Sequence, residues 1–176
     1  MTFLELARAR RSVRSFRPDP VPEEDLRYVL EAARLAPSAN NVQPWRFIVV
    51  RDRARRRELA EACWGQRFVG EAPIVIVACG LPTLSKIGGY MTSMFVDVAI
   101  AMTHLILAAA ERGLGTCWIG AFYEDEVKRI LGVPDEVRVV ALTPLGYPTE
   151  ELKPTDKPRK PLEEIVSEET YGKAEG

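Results

Sequence analysis

The sequence is short of the residues that most directly carry chemistry. It has one histidine, His104, and three cysteines, Cys63, Cys79 and Cys117. No two cysteines make a CxxC pair and their number is odd, so a disulfide framework is not expected and a reducing, cytoplasmic compartment is. A zinc site of the Cys/His type has too few ligands. The sole histidine stands among apolar residues, which reads as a core or interface position and leaves no Ser-His-Asp arrangement. The formal net charge is −1, without the basic excess of a nucleic-acid binder. The opening stretch MTFLELARAR has no apolar h-region, so no secretory signal is expected. Neither G-x-G-x-x-G nor a Walker A sequence is present; in GLGTCWIG the third glycine, Gly120, falls too far after Gly113 and Gly115. Internal repeats and low-complexity tracts are also missing.

What is present is an ordinary globular composition, 47% hydrophobic and 28% charged over 176 residues. That length suggests one domain, able to bury about 70% of its unfolded surface. Thr2 and Glu5 form a capping box for a helix over Phe3–Arg10. Pro18, Pro20 and Pro22 enforce an extended connector, and Glu23, Glu24 and Asp25 begin a second helix that ends near Ala36. RFIVVR (46–51) reads as a strand, ARRRELAEAC as a helix, and PIVIVAC (73–79) as a strand covered on both faces. A loop through Gly88 and Gly89 leads to a long helix that Gly113 terminates. GTCWIG is a short strand or loop, EDEVKRILG a helix closed by Gly132, and RVVALTPLGYP the last strand. Residues 149–176, rich in Pro, Lys and Glu, read as an extended C-terminal arm. This order predicts an α+β fold with helices flanking a sheet.

The segment MTSMFVDVAIAMTHLILAAA is apolar enough to suggest a membrane span. Asp97 and His104 sit inside it, however, and ionisable groups at bilayer depth are costly. It is better read as a buried helix or a dimer core, and no membrane partner is expected.

Three polar stretches stand out. RARRSVRSFR carries five arginines, Arg8, Arg10, Arg11, Arg14 and Arg17. APSANNVQPWRF offers Ser38, Asn40, Asn41 and Gln43, whose donors and acceptors suit the edge of a heterocycle but also a capped turn. TDKPRKPLEEI brings Lys157, Arg159 and Lys160, a basic run that is either solvated or an arm. Cys117 reads as a packing residue, with no neighbour in sequence to lower its pKa.

RRSVRSFRPDPVP, APSANNVQPWRF, AERGLGTCWIGAF and KPRKPLEEI follow one another in the order and spacing of the nitroreductase family, which the chain resembles over nearly its whole length. The resemblance implies one FMN-binding domain over residues 1–176, a mixed, mainly antiparallel sheet flanked by helices, and an intertwined homodimer with FMN at the subunit interface. It implies that Arg10 and Ser12 contact the cofactor, Arg10 near the phosphate with Arg11 as neighbour, and that Arg14 reaches the polar edge of the flavin. Ser38 and Asn41 would come from the other subunit. Ile119 and Gly120 match the segment that passes over the flavin with a backbone N–H aimed at its reactive nitrogen. Gln66 sits where the family places an amide near the ring, and Arg159 matches a phosphate ligand that Lys157 or Lys160 assists. The implied activity is hydride transfer from NADH or NADPH through FMN to a nitroaromatic, quinone or flavin, with no metal and no catalytic side chain, because the cofactor carries the chemistry. The alternatives are a specialised enzyme of the same fold, dehalogenase-like or flavin-cleaving, and a non-catalytic flavin-binding regulatory module.

Overall fold

Seven consecutive β-branched or small residues have nowhere to go but the middle of a sheet. The computed structural model describes residues 1–155 and 157–172 and buries all of β2 (Ile74–Gly80). Antiparallel partners flank it: β1 (Trp45–Val50) on one side and β6 (Arg138–Gly146) on the other, with β5 (Gly115–Thr116) beyond β6, giving the order β1-β2-β6-β5. Alternate β2 side chains face opposite ways. Ile74, Ile76 and Ala78 join one core with α2 (Glu23–Arg34) and α5 (Met94–Glu111). Val75, Val77 and Cys79 join the other with α3 (Arg53–Ala62), α4 (Arg67–Glu71) and α6 (Glu124–Leu131). The α+β fold with a mainly antiparallel sheet is therefore the one observed.

α1 (Phe3–Ala9) has the expected capping box: Thr2 N–H donates to Glu5 Oε2 at 2.7 Å and Glu5 N–H to Thr2 Oγ1 at 3.3 Å. Gly132 closes α6 in the left-handed conformation. α5, 18 residues long with a mean hydropathy of 1.6, has the length and composition of a membrane span. Half of it is nonetheless buried inside this protomer, where Val98, Met102 and Leu105 are fully enclosed, and Asp97 is buried with them. Phe95 and Val96 stay exposed on its outer side. The sequence pattern passed over α4, the hairpin of β3 (Lys86–Ile87) and β4 (Met91–Thr92), and a 3-10 turn at Ala39–Asn41. Each is too short to register a period.

Among its described residues the arm has no regular structure apart from a 3-10 turn at Leu162–Glu164, it bends at 168–171 where Glu169 is left-handed, and its apolar residues Leu162, Ile165 and Val166 are exposed. Residues 156 and 173–176 of that expected arm lie outside the described residues.

Between α1 and α2 the chain becomes a strap along the far edge of the sheet. Ser12 bridges Thr116 in parallel, Val13 N–H donates to the Thr116 carbonyl at 2.8 Å, and Arg17 N–H to the Tyr147 carbonyl at 2.8 Å. Gly115 makes this approach feasible, since a Cβ there would lie 2.8 Å from Val13 Cγ2 and 2.9 Å from Val13 Cβ. Gly115→Ala should therefore cost about 1–3 kcal/mol of overpacking. Thermal denaturation should show a melting point lower by several degrees, at roughly 2–4 °C per kcal/mol for a chain of this size. An unchanged melting point would mean that the strap is not packed as described.

Candidate functional site

The strap turns a charge run into a directed set of side chains. Arg10 ends α1, its N–H still bonded to the Leu6 carbonyl at 2.9 Å, and the backbone then extends. In the extended stretch Val13 points into the core while Ser12 and Arg14 point out. Arg11, Ser12, Arg14 and Ser15 face Pro148 and Glu150 across a cleft of about 260 Å³. Arg11 is already engaged there, its Nη2 donating at 3.2 Å to both the backbone and the side chain of Glu150. Arg17 pairs with Asp19 at 2.8 Å and lies over the Tyr147 ring. Arg10 and Arg14 have no carboxylate within ion-pair distance among the described residues. They are the strap's uncommitted cations beside Ser12.

Next to the strap lies Cys117–Gly120, placed by a proline. Pro144 sits in β6 and has no N–H for the ladder. Just past its pairing with β6, the neighbouring chain leaves the regular pattern: Cys117 N–H turns to the Thr143 Oγ1 at 3.2 Å. Pairing resumes at Ile119, which exchanges both backbone hydrogen bonds with Leu142, at 2.8 and 3.1 Å. Ile119 N–H is thus spent inside the protomer. Gly120 is exposed, and its N–H has no acceptor among the described residues. Gln66 bolts this segment to the turn before α4, its Nε2 donating to the Cys63 carbonyl at 2.9 Å and the Ala121 carbonyl at 3.4 Å. Burial pushes the Cys117 thiol up from its ordinary value, while the Arg14 guanidinium and the Ser12 hydroxyl pull the other way. Both strap residues therefore lie against this segment.

The Ser38–Gln43 loop is built under strain. Asn40, Asn41 and Gln43 have φ of 52°, 54° and 53°. Asparagine tolerates the left-handed region; glutamine does so less well. Ser38 Oγ accepts the Gln43 N–H at 2.9 Å, Asn40 Nδ2 donates to Ser85 Oγ at 3.2 Å, and Ala39 N–H donates to Asp97 Oδ1 at 2.9 Å. The loop feeds β1 at Trp45, which lies opposite Gly80, the last residue of β2. The strap sits by Thr116, opposite Leu145, which in turn lies opposite Ile74, the first residue of β2. Loop and strap therefore occupy diagonally opposite corners of the sheet. They are separated by about 20 Å along the strands and three inter-strand spacings, about 14 Å, across them.

The structure brings together Arg11, Ser12 and Arg14 on the strap, with Arg10 at its head, beside Thr116; Ile119 and Gly120 follow along the chain from Thr116, and Gln66 reaches that segment at Ala121. It holds Ser38 and Asn41 at the other corner. Arg159 stands exposed on the arm, bonded among the described residues only to the neighbouring Pro158 carbonyl, and Lys160 pairs with Glu164 at 3.6 Å. A cavity of about 920 Å³ between Pro18–Pro20 and α3–α4 contains none of these residues. No cluster of metal-ligating side chains occurs among the described residues. Sequence reasoning missed Asp97 and Ser85 as anchors of the loop. Asp97 carries a signal, an ionisable residue inside an apolar helix, which by itself argues against a membrane span and does not name its partner in the loop.

The model of the nitroreductase family matches residues 7–80 and 64–147. A Thermus thermophilus protein named NADH dehydrogenase is 38% identical, over 89% of this chain and 91% of its own length. A Bacillus subtilis FMN reductase [NAD(P)H] is 31% identical, over 92% of this chain and 71% of its own. The crystal structure of a nitroreductase family protein from Clostridium difficile 630 superposes with a TM-score of 0.86 at 31% identity, covering 97% of this chain and all of that one.

The three thiols give a check on the site's packing. All are buried and free. Burial lifts Cys63 to about 12 and Cys79 to about 11. In the folded protein at pH 8, iodoacetamide should leave all three unmodified, and unfolding should expose all three to alkylation by mass spectrometry. Rapid labelling of native Cys117 would show that the strap leaves that segment open.

Proposed function

This chain belongs to the nitroreductase family, and from that premise we propose that it is an FMN-dependent oxidoreductase acting as a homodimer. It passes hydride from NADH or NADPH to a small acceptor such as a nitroaromatic, a quinone or a flavin. The observation that carries this reading is the diagonal separation of the two polar sets. Each is half a site, and a second copy turned about a two-fold axis brings the Ser38–Asn41 loop of one protomer to the strap of the other. The outward Phe95 and Val96 of α5 and the exposed apolar arm residues supply surface for such a pairing.

The residues fit the cofactor. A phosphate monoester carries close to two negative charges, and Arg10 is a cation without a carboxylate partner among the described residues. Arg159, on the exposed arm, joins it there, and Lys157 assists; Lys160 is engaged by Glu164. Ser12 adds a hydroxyl. FMN supplies the two-electron chemistry when bound. Arg14 places a positive charge at the pyrimidine edge and favours the negatively charged form of the ring. Gly120 offers the free N–H on the segment over the flavin, since Ile119 has given its own to Leu142. Gln66 holds that segment at its height. Ser38 and Asn41 close the site from the partner subunit.

Purified protein should be yellow and release FMN on denaturation, and anaerobic NADH or NADPH should bleach it. A colourless protein that takes up no added FMN contradicts the proposal; a bound flavin that neither nucleotide reduces contradicts the hydride-transfer activity. Arg10→Ala and Arg159→Ala should each weaken FMN binding about 10- to 100-fold, the range of a lost charge-assisted hydrogen bond. Unchanged affinity in both would overturn the phosphate assignment.

A further inference from the structure

Asp97 is buried, 3% exposed, yet its carboxyl has one hydrogen-bond partner, the Ala39 N–H at 2.9 Å. Its second oxygen, Oδ2, has none among the described residues, and neither has Ser93 Oγ, one helical turn earlier and 0% exposed. A buried carboxyl so thinly satisfied is a standing cost, since each unpaired polar atom forfeits its hydration. An apolar residue at this place would suit the rest of α5, so the carboxyl is not explained by packing. What it does touch is the backbone at the start of the strained Ser38–Gln43 loop, 58 residues away in sequence.

The geometry points to Asp97 as the positioning residue of the flavin-facing loop. It fixes the loop by its backbone, which leaves the Asn41 side chain and the hydroxyl hydrogen of Ser38 to face a ligand. The inference rests on the flavin reading of the site. Its logic is mechanical. Three residues in the left-handed region relax to ordinary backbone unless something holds them. Ser38 Oγ ties the loop to itself, and Asn40 ties it to the small β3–β4 hairpin; the Ala39–Asp97 bond alone among its side-chain bonds ties it to a core helix. The residues just before Asp97, Phe95 and Val96, present the exposed apolar surface of α5. One rigid turn therefore sets both the loop and the surface a second copy would meet.

The test compares three variants of the full chain by FMN dissociation constant and melting temperature. Asp97→Ala removes the acceptor and should weaken FMN about tenfold or more. Ala39→Pro removes the same bond from the donor side; Ser38 is already extended, as the residue before a proline must be, so this variant carries the test if Asp97→Ala does not fold. It should weaken FMN similarly. Asp97→Asn keeps an oxygen for the Ala39 N–H, so it should stay within about threefold of wild type. Leu59→Ala, a cavity in the other core cluster, should lower the melting point and leave FMN affinity unchanged, which separates positioning from general instability. Wild-type affinity in Asp97→Ala or Ala39→Pro, loss in Asp97→Asn as large as in Asp97→Ala, or equal FMN loss in Leu59→Ala would each overturn the inference while wild type still binds FMN. A wild-type chain that binds no FMN overturns the flavin reading itself.

Discussion

A strap and a loop fixed to opposite corners of one rigid sheet cannot reach a common small ligand unless a second sheet faces the first. That constraint organises the molecule. The strap is pinned by backbone, Val13 and Arg17 donating into the β5–β6 edge, and a backbone ladder does not slide without losing every bond in register. The loop is pinned at the Gly80 end of β2 by its run into β1 and by Asp97. Between them lies a strand buried along its whole length and packed on both faces. Such a core is too dense to fold the corners together. In the homodimer we propose, a two-fold axis would convert the separation into two identical sites, each with a strap from one protomer and a loop from the other.

The costs of the structure collect where the function is proposed to be. Left-handed Asn40, Asn41 and Gln43, the thinly bonded Asp97, and Pro144 inside a central strand all depart from what local preference favours. Trp64 and Glu169 are left-handed as well, but most of the remaining structure follows local preference: a capping box on α1, a left-handed glycine after α6, and two continuous apolar cores. Departures of this kind persist only where the surroundings over-determine them. Each departure at the proposed site has such a support. Ser38 Oγ and Asp97 hold the loop, and Thr143 Oγ1 meets the Cys117 N–H where the ladder opens beside Pro144.

The scaffold was legible in the sequence because long elements repeat their signal. PIVIVAC could only be a covered strand, and the strands found begin one residue before or after the expected Arg46 and Pro73. Short elements repeat nothing, so α4 and the β3–β4 hairpin left no trace in the pattern. In the site, Arg10, Ser12 and Arg14 stood out by composition and by resemblance, but their division did not. That Arg11 and Arg17 have internal carboxylates while Arg10 and Arg14 have none among the described residues depends on Glu150, 139 residues beyond Arg11, and on the local turn to Asp19. The same holds for Ile119 and Gly120: one N–H is consumed by Leu142 across the sheet, a pairing no local window contains. Left-handed φ at Asn40 and Asn41 was within reach, since asparagine is the residue that tolerates it; at Gln43 it was not.

The central claim is that each site takes its strap from one protomer and its loop from the other, and mixing two defective variants tests it directly. One carries Arg10→Ala and Arg14→Ala, the other Ser38→Ala and Asn41→Ala. Each alone should bind FMN poorly. After the two are unfolded together in equal amounts and refolded, random pairing makes half the dimers mixed, and each mixed dimer has one intact site. About a quarter of wild-type FMN binding should return. No recovery from the refolded mixture, with wild type refolding to full binding in parallel, would place strap and loop in the same protomer's site and contradict the account.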